Sequence, residues 1–174
     1  MRTISIKLYT FNELSESARQ KVLEKMETHE VEFMEWWIPV YEDAENVGIK
    51  ITGFDFDIDQ ITGDFLGTEY MASEKIMDGH GKQCQTYKAA EKFDKDWNAL
   101  VSKYTDLMGI KINADKFRSE EKVIEETFKN EIRRQYLTIL RNEYEYLTSE
   151  EAIKESIEEN GYEFTENGEI YSEV

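Results

Sequence analysis

Apolar and polar positions alternate from Arg2 to Tyr9. Ile4, Ile6 and Leu8 point one way and Thr3, Ser5 and Lys7 the other, which predicts a half-buried strand. Asn12 or Ser15 then opens a helix in which Leu14, Ala18, Val22 and Met26 recur every fourth residue, giving one apolar stripe to about His29. Helical spacing returns from Glu32 to Val47 through Trp36, Trp37, Val40, Tyr41 and Ala44. Pro39, the chain's single proline, sits inside that run. It demands either a kink or a helix that starts at Trp37 or Ile38 with Pro39 in its first turn.

Gly48 ends this helix, and the period changes to two. Ile49 and Ile51, then Phe54, Phe56 and Ile58, predict a strand over 49–58 with a bulge at Gly53. A turn at Asp59–Gly63 would lead to a partner strand at Asp64–Tyr70, and the N-terminal strand would join both in a small antiparallel sheet. Beyond Met71 the pattern is helical. It predicts a short helix over 71–78, a longer one over 84–107, and a long helix over 119–146 with Val123, Phe128, Ile132, Tyr136 and Leu140 inward. Thr148-Ser149-Glu150-Glu151 has the form of an N-cap and capping box before a last helix, Ser149 to Asn160, which Gly161 terminates. Asn167-Gly168 then marks a hairpin over 162–171. The expected fold is a single α+β domain over 1–174: a small antiparallel sheet packed with several helices, closed by a C-terminal helix and hairpin.

Composition makes this a globular chain, because 40% of its 174 residues are hydrophobic and 13% aromatic. Its net charge of −17 is unevenly placed. From Arg141 to Val174 eleven carboxylates face only Arg141 and Lys154, whereas Lys82–Arg134 holds twelve bases and ten acids. The acidic tract keeps Tyr146, Ile153, Ile157, Tyr162 and Phe164, so it reads as a folded acidic surface and not as a solvating tail. Such a surface repels nucleic acid and attracts basic proteins, which argues against direct nucleic-acid binding. A lone Cys84, no apolar run near the ~20 residues of a membrane span, and no signal-peptide pattern give the expectation of a cytoplasmic protein without membrane contact.

Candidate chemistry is sparse. Asp55-Phe56-Asp57-Ile58-Asp59 begins like a calcium loop, but Gln60 and Leu66 stand where that loop needs Gly and a bidentate Glu. His29, His80 and Cys84 are too few for a zinc site. Lys122, Lys129 and Arg133 align along the long helix, yet Glu121, Glu125, Glu126 and Glu131 interleave with them, so intrahelical ion pairs are the simpler expectation. Trp36-Trp37 with Tyr41 could offer an aromatic platform, although adjacent helical residues, about 100° apart, seldom both face one core, so core packing of one ring is the simpler expectation. No phosphate loop, nucleophile elbow, metalloprotease motif or Cys pair is present. The expectation is a non-enzyme without metal or cofactor.

Several strings together carry a resemblance: Phe11-Asn12-Glu13-Leu14-Ser15 followed by Ala18, Trp36-Trp37, Tyr41-Glu42-Asp43-Ala44, Gly48-Ile49-Lys50-Ile51-Thr52-Gly53-Phe54-Asp55, Glu143-Tyr144-Glu145-Tyr146-Leu147-Thr148-Ser149-Glu150-Glu151-Ala152-Ile153 and Tyr162-Glu163-Phe164-Thr165-Glu166-Asn167-Gly168. With these the chain resembles small acidic proteins of bacteriophages and prophages, some of which carry antitoxin-type names. The resemblance implies a phage gene acting in a bacterial cytoplasm. Combined with the charge, it leads to the expectation of an acidic inhibitor of the anti-CRISPR type, bound to a basic surface of a CRISPR effector or other nuclease of the host. The alternatives are an antitoxin against a basic nuclease toxin, and a phage accessory enzyme or structural protein. The expected contact face is Glu150, Glu151, Glu155, Glu158 and Glu159, with Tyr146 and Tyr162 as anchors.

Overall fold

The structure, a computed structural model, describes residues 5–28, 31–32, 34–105 and 113–171. Among the described residues it is α+β, 64% helical, with one two-stranded antiparallel sheet. In chain order the elements are α1 (Glu16–Met26), α2 (Ile38–Asn46), β1 (Ile49–Asp55), β2 (Gln60–Phe65), α3 (Glu69–Gly79), α4 (Gln85–Tyr104), α5 (Ala114–Leu147) and α6 (Glu150–Asn160). The chain divides into two compact units, 1–36 with 142–174, and 37–141.

In the first unit, Ser15 caps α1 by accepting a hydrogen bond from the Ala18 amide at 3.3 Å. Ala18, Val22 and Met26 of α1 are buried with Phe11, Leu14, Phe164, and Ile153 and Ile157 of α6. The C-terminal hairpin forms where Asn167-Gly168 predicts it. Gly168 takes φ +82°, the Gly168 amide donates to Thr165 O, and Phe164 bridges Ile170. A side chain at position 168 would also collide with the Ala18 carbonyl, 2.8 Å from an ideal Cβ. The expected N-terminal strand is not part of the sheet. Ser5 to Leu8 have no strand pairing, residues 1–4 lie outside the described residues, and Tyr9 exchanges two backbone bonds with Phe164.

The second unit packs α2 to α5 around the β1–β2 hairpin. Its core joins Ala44, Ile49, Ile51, Ile76, Ala90, Phe93, Phe128, Ile132 and Tyr136. Pro39 lies in the first turn of α2, the position its missing N–H tolerates. The register slips between Ile51 and Gly53, as the phase change implied. The hairpin turn comes earlier than expected, however. Asp55 Oδ1 accepts from the Asp57 and Ile58 amides, Asp59 adopts φ +53°, and the chain reverses at 56–59. β2 is therefore Gln60–Phe65 and not 64–70, Tyr70 falls in α3, and Ile58 stands 65% exposed at the tip. α5 begins five residues before the expected 119, and Phe117 in its first turns is buried against Leu100 and Tyr104. Val123, expected inward, is exposed. It precedes Ile132 by nine residues, about 180° around a helix.

Candidate functional site

Helix α6 forms because its ends are specified locally. Ser149 Oγ accepts from the Ala152 amide at 3.2 Å, and Gly161 closes the other end in the left-handed region at φ +62°. Ile153 and Ile157, four residues apart, are buried against α1. At about 100° per residue, Glu151, Glu155, Glu158 and Glu159 then occupy one arc of about 100°, opposite these two isoleucines. All four are exposed.

Glu150 is set apart from them. It turns toward the α1 side, beside Gln20, Glu24 and Glu27, and forms an ion pair with Lys154 at 2.5 Å. No ion pair holds Glu151, Glu155, Glu158 or Glu159 among the described residues. The expected face of five thus separates into four uncompensated carboxylates and one paired one.

The two expected anchors also differ. Tyr146, in the last turn of α5, is 51% exposed, and its hydroxyl donates to Glu155 Oε2 at 3.2 Å. That bond, the charge of Glu155 and the nearby Glu151 and Glu143 push its phenol above the usual range. Tyr162 is half-buried and packs on the cluster around Phe164.

Two features place charge where helix stability disfavours it. The last turn of α6 holds Glu158 and Glu159 and no base, so both carboxylates meet the negative end of the helix dipole. Glu151–Glu155 and Glu155–Glu159 are like-charged pairs at i,i+4, each unfavourable by a few tenths of a kcal/mol. Helix formation alone does not account for this arrangement.

The other sequence candidates resolve as structural parts. Asp55 shapes the hairpin turn, and Asp59 accepts from Arg141 Nη2 at 2.9 Å, so the calcium-loop resemblance is a turn and a clamp. The basic residues of α5 are not a free stripe. Lys129 pairs with Glu69 at 2.6 Å and, within its own helix, with Glu126 at 3.6 Å; Arg133 reaches outside the helix and donates to Gly63 O at 3.1 Å, and Arg134 pairs within it with Glu131. His80 Nδ1 and Thr86 Oγ1 lie 2.7 Å apart. His80 Nε2 is 3.5 Å from Asp43 Oδ1, within ion-pair reach but without a hydrogen bond. Cys84 is exposed at the start of α4, and His29 lies outside the described residues. Trp36 is half-buried with its ring 5.9 Å from that of Tyr144. Among the described residues no group of three or more His, Cys, Asp or Glu could hold a metal, and no helix is long and apolar enough to cross a membrane. No protein-family model, curated protein or solved structure matches the chain.

Proposed function

We propose that this protein is an acidic binding protein that docks the outward arc of α6 on a basic protein surface. The observation that carries this reading is the uncompensated set Glu151, Glu155, Glu158 and Glu159 on a helix anchored by Ile153 and Ile157. A rigid scaffold matters here. The helix backbone is already fixed, so only the exposed side chains lose freedom on binding, and a concentrated field speeds encounter with a cationic partner. The half-exposed Tyr146 ring beside Glu155 adds an apolar contact of the kind enriched in interfaces.

The resemblance to phage proteins is what supports the choice of partner class in this reading. The target is a nucleic-acid-processing defence enzyme of the bacterial host, a CRISPR effector or other nuclease, and the protein acts in the host cytoplasm. A nuclease must hold phosphate in a cationic channel, and an ordered array of carboxylates competes for the same charge. The protein itself performs no chemistry in this scheme and needs no cofactor.

Affinity capture from host lysate at low and high salt tests the proposal, with a parallel Glu151→Lys, Glu155→Lys, Glu158→Lys variant. A nuclease effector retained at low salt, released at high salt and lost to the variant supports it. Undiminished capture by a variant whose circular dichroism matches the parent removes α6 as the contact face.

A further inference from the structure

A cleft of about 260 Å³ opens between α4 and α5 within the second unit. Its apolar wall is aromatic: the Phe93 and Phe128 rings stack with centroids 4.5 Å apart at 28°, and Ala89 beside them leaves the space a larger side chain would fill. Its rim is charged. Lys92 pairs with Asp96 at 3.1 Å, and Glu131 accepts from both Arg134 and Gln135. The Arg134 hydrogen bond holds the Glu131 carboxyl below the usual range, so it stays ionised and satisfied. Lys88 is different. It lines the cleft, is exposed, and has no ion-pair partner among the described residues.

We propose that this cleft binds a small, flat monocarboxylate of one or two rings, its ring against Phe93, Phe128 and Ala89 and its carboxylate on Lys88. Size sets the first limit, since pockets for drug-sized ligands run from about 300 to 1,000 Å³ and this one is smaller. Charge sets the second. One uncompensated ammonium suits one carboxylate, while a phosphate dianion needs more than the one lining base that no ion pair engages, since Lys92 is paired with Asp96. Thr127 adds a polar contact: its hydroxyl donates to Val123 O at 2.7 Å, which leaves its lone pairs to accept from a ring N–H or O–H.

Titration of the full chain with benzoate and indole-3-carboxylate, followed by amide NMR shifts, tests the site, with indole as the uncharged control. The site predicts saturable shifts at Ala89, Phe93, Thr127 and Phe128, and about tenfold weaker carboxylate binding in Lys88→Glu with indole unaffected. Ala89→Phe, which fills the cleft, abolishes the shifts from all three probes. Absence of saturable shifts, shifts centred elsewhere, or equal carboxylate binding by Lys88→Glu overturns the proposal. Gain or loss of this site leaves the reading of α6 untouched, because the cleft shares no residue with the Glu151, Glu155, Glu158 and Glu159 face.

Discussion

The Tyr146 hydroxyl donates to Glu155 Oε2 across 3.2 Å and so links the last turn of α5 to the middle of α6. The bond is made to the neutral phenol, and ionisation would set a phenolate beside a carboxylate. Tyr146 should therefore titrate above an ordinary tyrosine, and Glu155→Gln should lower its midpoint. NMR of ring-labelled tyrosine at rising pH reads this directly. The stability held by the neutral phenol is present below its unfolded pKa of about 10 and fades as pH climbs through the folded value. A Tyr146 midpoint unchanged by Glu155→Gln would show that the contact does not persist in solution.

Glu158→Gln with Glu159→Gln should stabilise the protein while weakening partner binding. Each change removes a carboxylate from the negative end of α6, worth about 0.3–1 kcal/mol at low ionic strength, and the second also relieves the i,i+4 repulsion from Glu155. Thermal melts should show a higher Tm at low salt and a smaller gain at high salt. A lower Tm would mean that these carboxylates support the fold, and the trade between stability and binding would not exist.

Much of this fold is written locally. Ser149 at one end of α6 and Gly161 at the other fix that helix through their own backbone and side-chain chemistry, as Gly168 fixes the hairpin. Pro39 admits few positions within a helix, and α2 starts where one of them requires. What the pattern could not supply was partnership. Alternation at 2–9 says which side chains share a face, but not that Tyr9 pairs with Phe164, far away in the chain. Helical spacing gave Lys129 its pairing with Glu126, but not the shorter contact with Glu69 or the reach of Arg133 to the Gly63 carbonyl, which tertiary packing supplies. At the candidate site, the 100° rotation per residue already separates Glu150 from the other four; its pairing with Lys154 follows from the same i,i+4 geometry.

Arg141→Ala should loosen the tip of the β1–β2 hairpin more than the protein as a whole. Arg141 Nη2 donates to Asp59 Oδ1 at 2.9 Å and to Phe56 O at 3.4 Å, and the guanidinium lies 5.4 Å from the Phe56 ring centroid. The Arg141 side chain is 40% exposed and that of Asp59 71%, which limits the pair's worth to about 1 kcal/mol. Hydrogen exchange should accelerate at Asp57 and Ile58, whose amides depend on the turn, while Ile132 in the core keeps its protection. Arg141→Lys should restore little, since an ammonium lacks the planar fork that meets ring, carbonyl and carboxylate together. Uniform acceleration in both variants would assign Arg141 a global role.

The Tyr136 hydroxyl donates to Asp43 Oδ2 at 2.9 Å from a ring that is almost fully buried. Burial, then the charge of Asp43 and this bond, push the phenol far above its ordinary range. A raised folded pKa gives stability that is complete below the unfolded value of about 10 and is lost as pH rises beyond it, because the unfolded chain ionises first. Tyr136→Phe should cost about 1 kcal/mol at neutral pH, since Asp43 is half-exposed and water can replace the lost donor. It should also flatten the fall of stability above about pH 10, so that the two unfolding curves converge there. Urea unfolding of both proteins across that range measures the convergence. A constant gap between them at every pH would mean that the Tyr136 phenol ionises no later in the fold than in the unfolded chain.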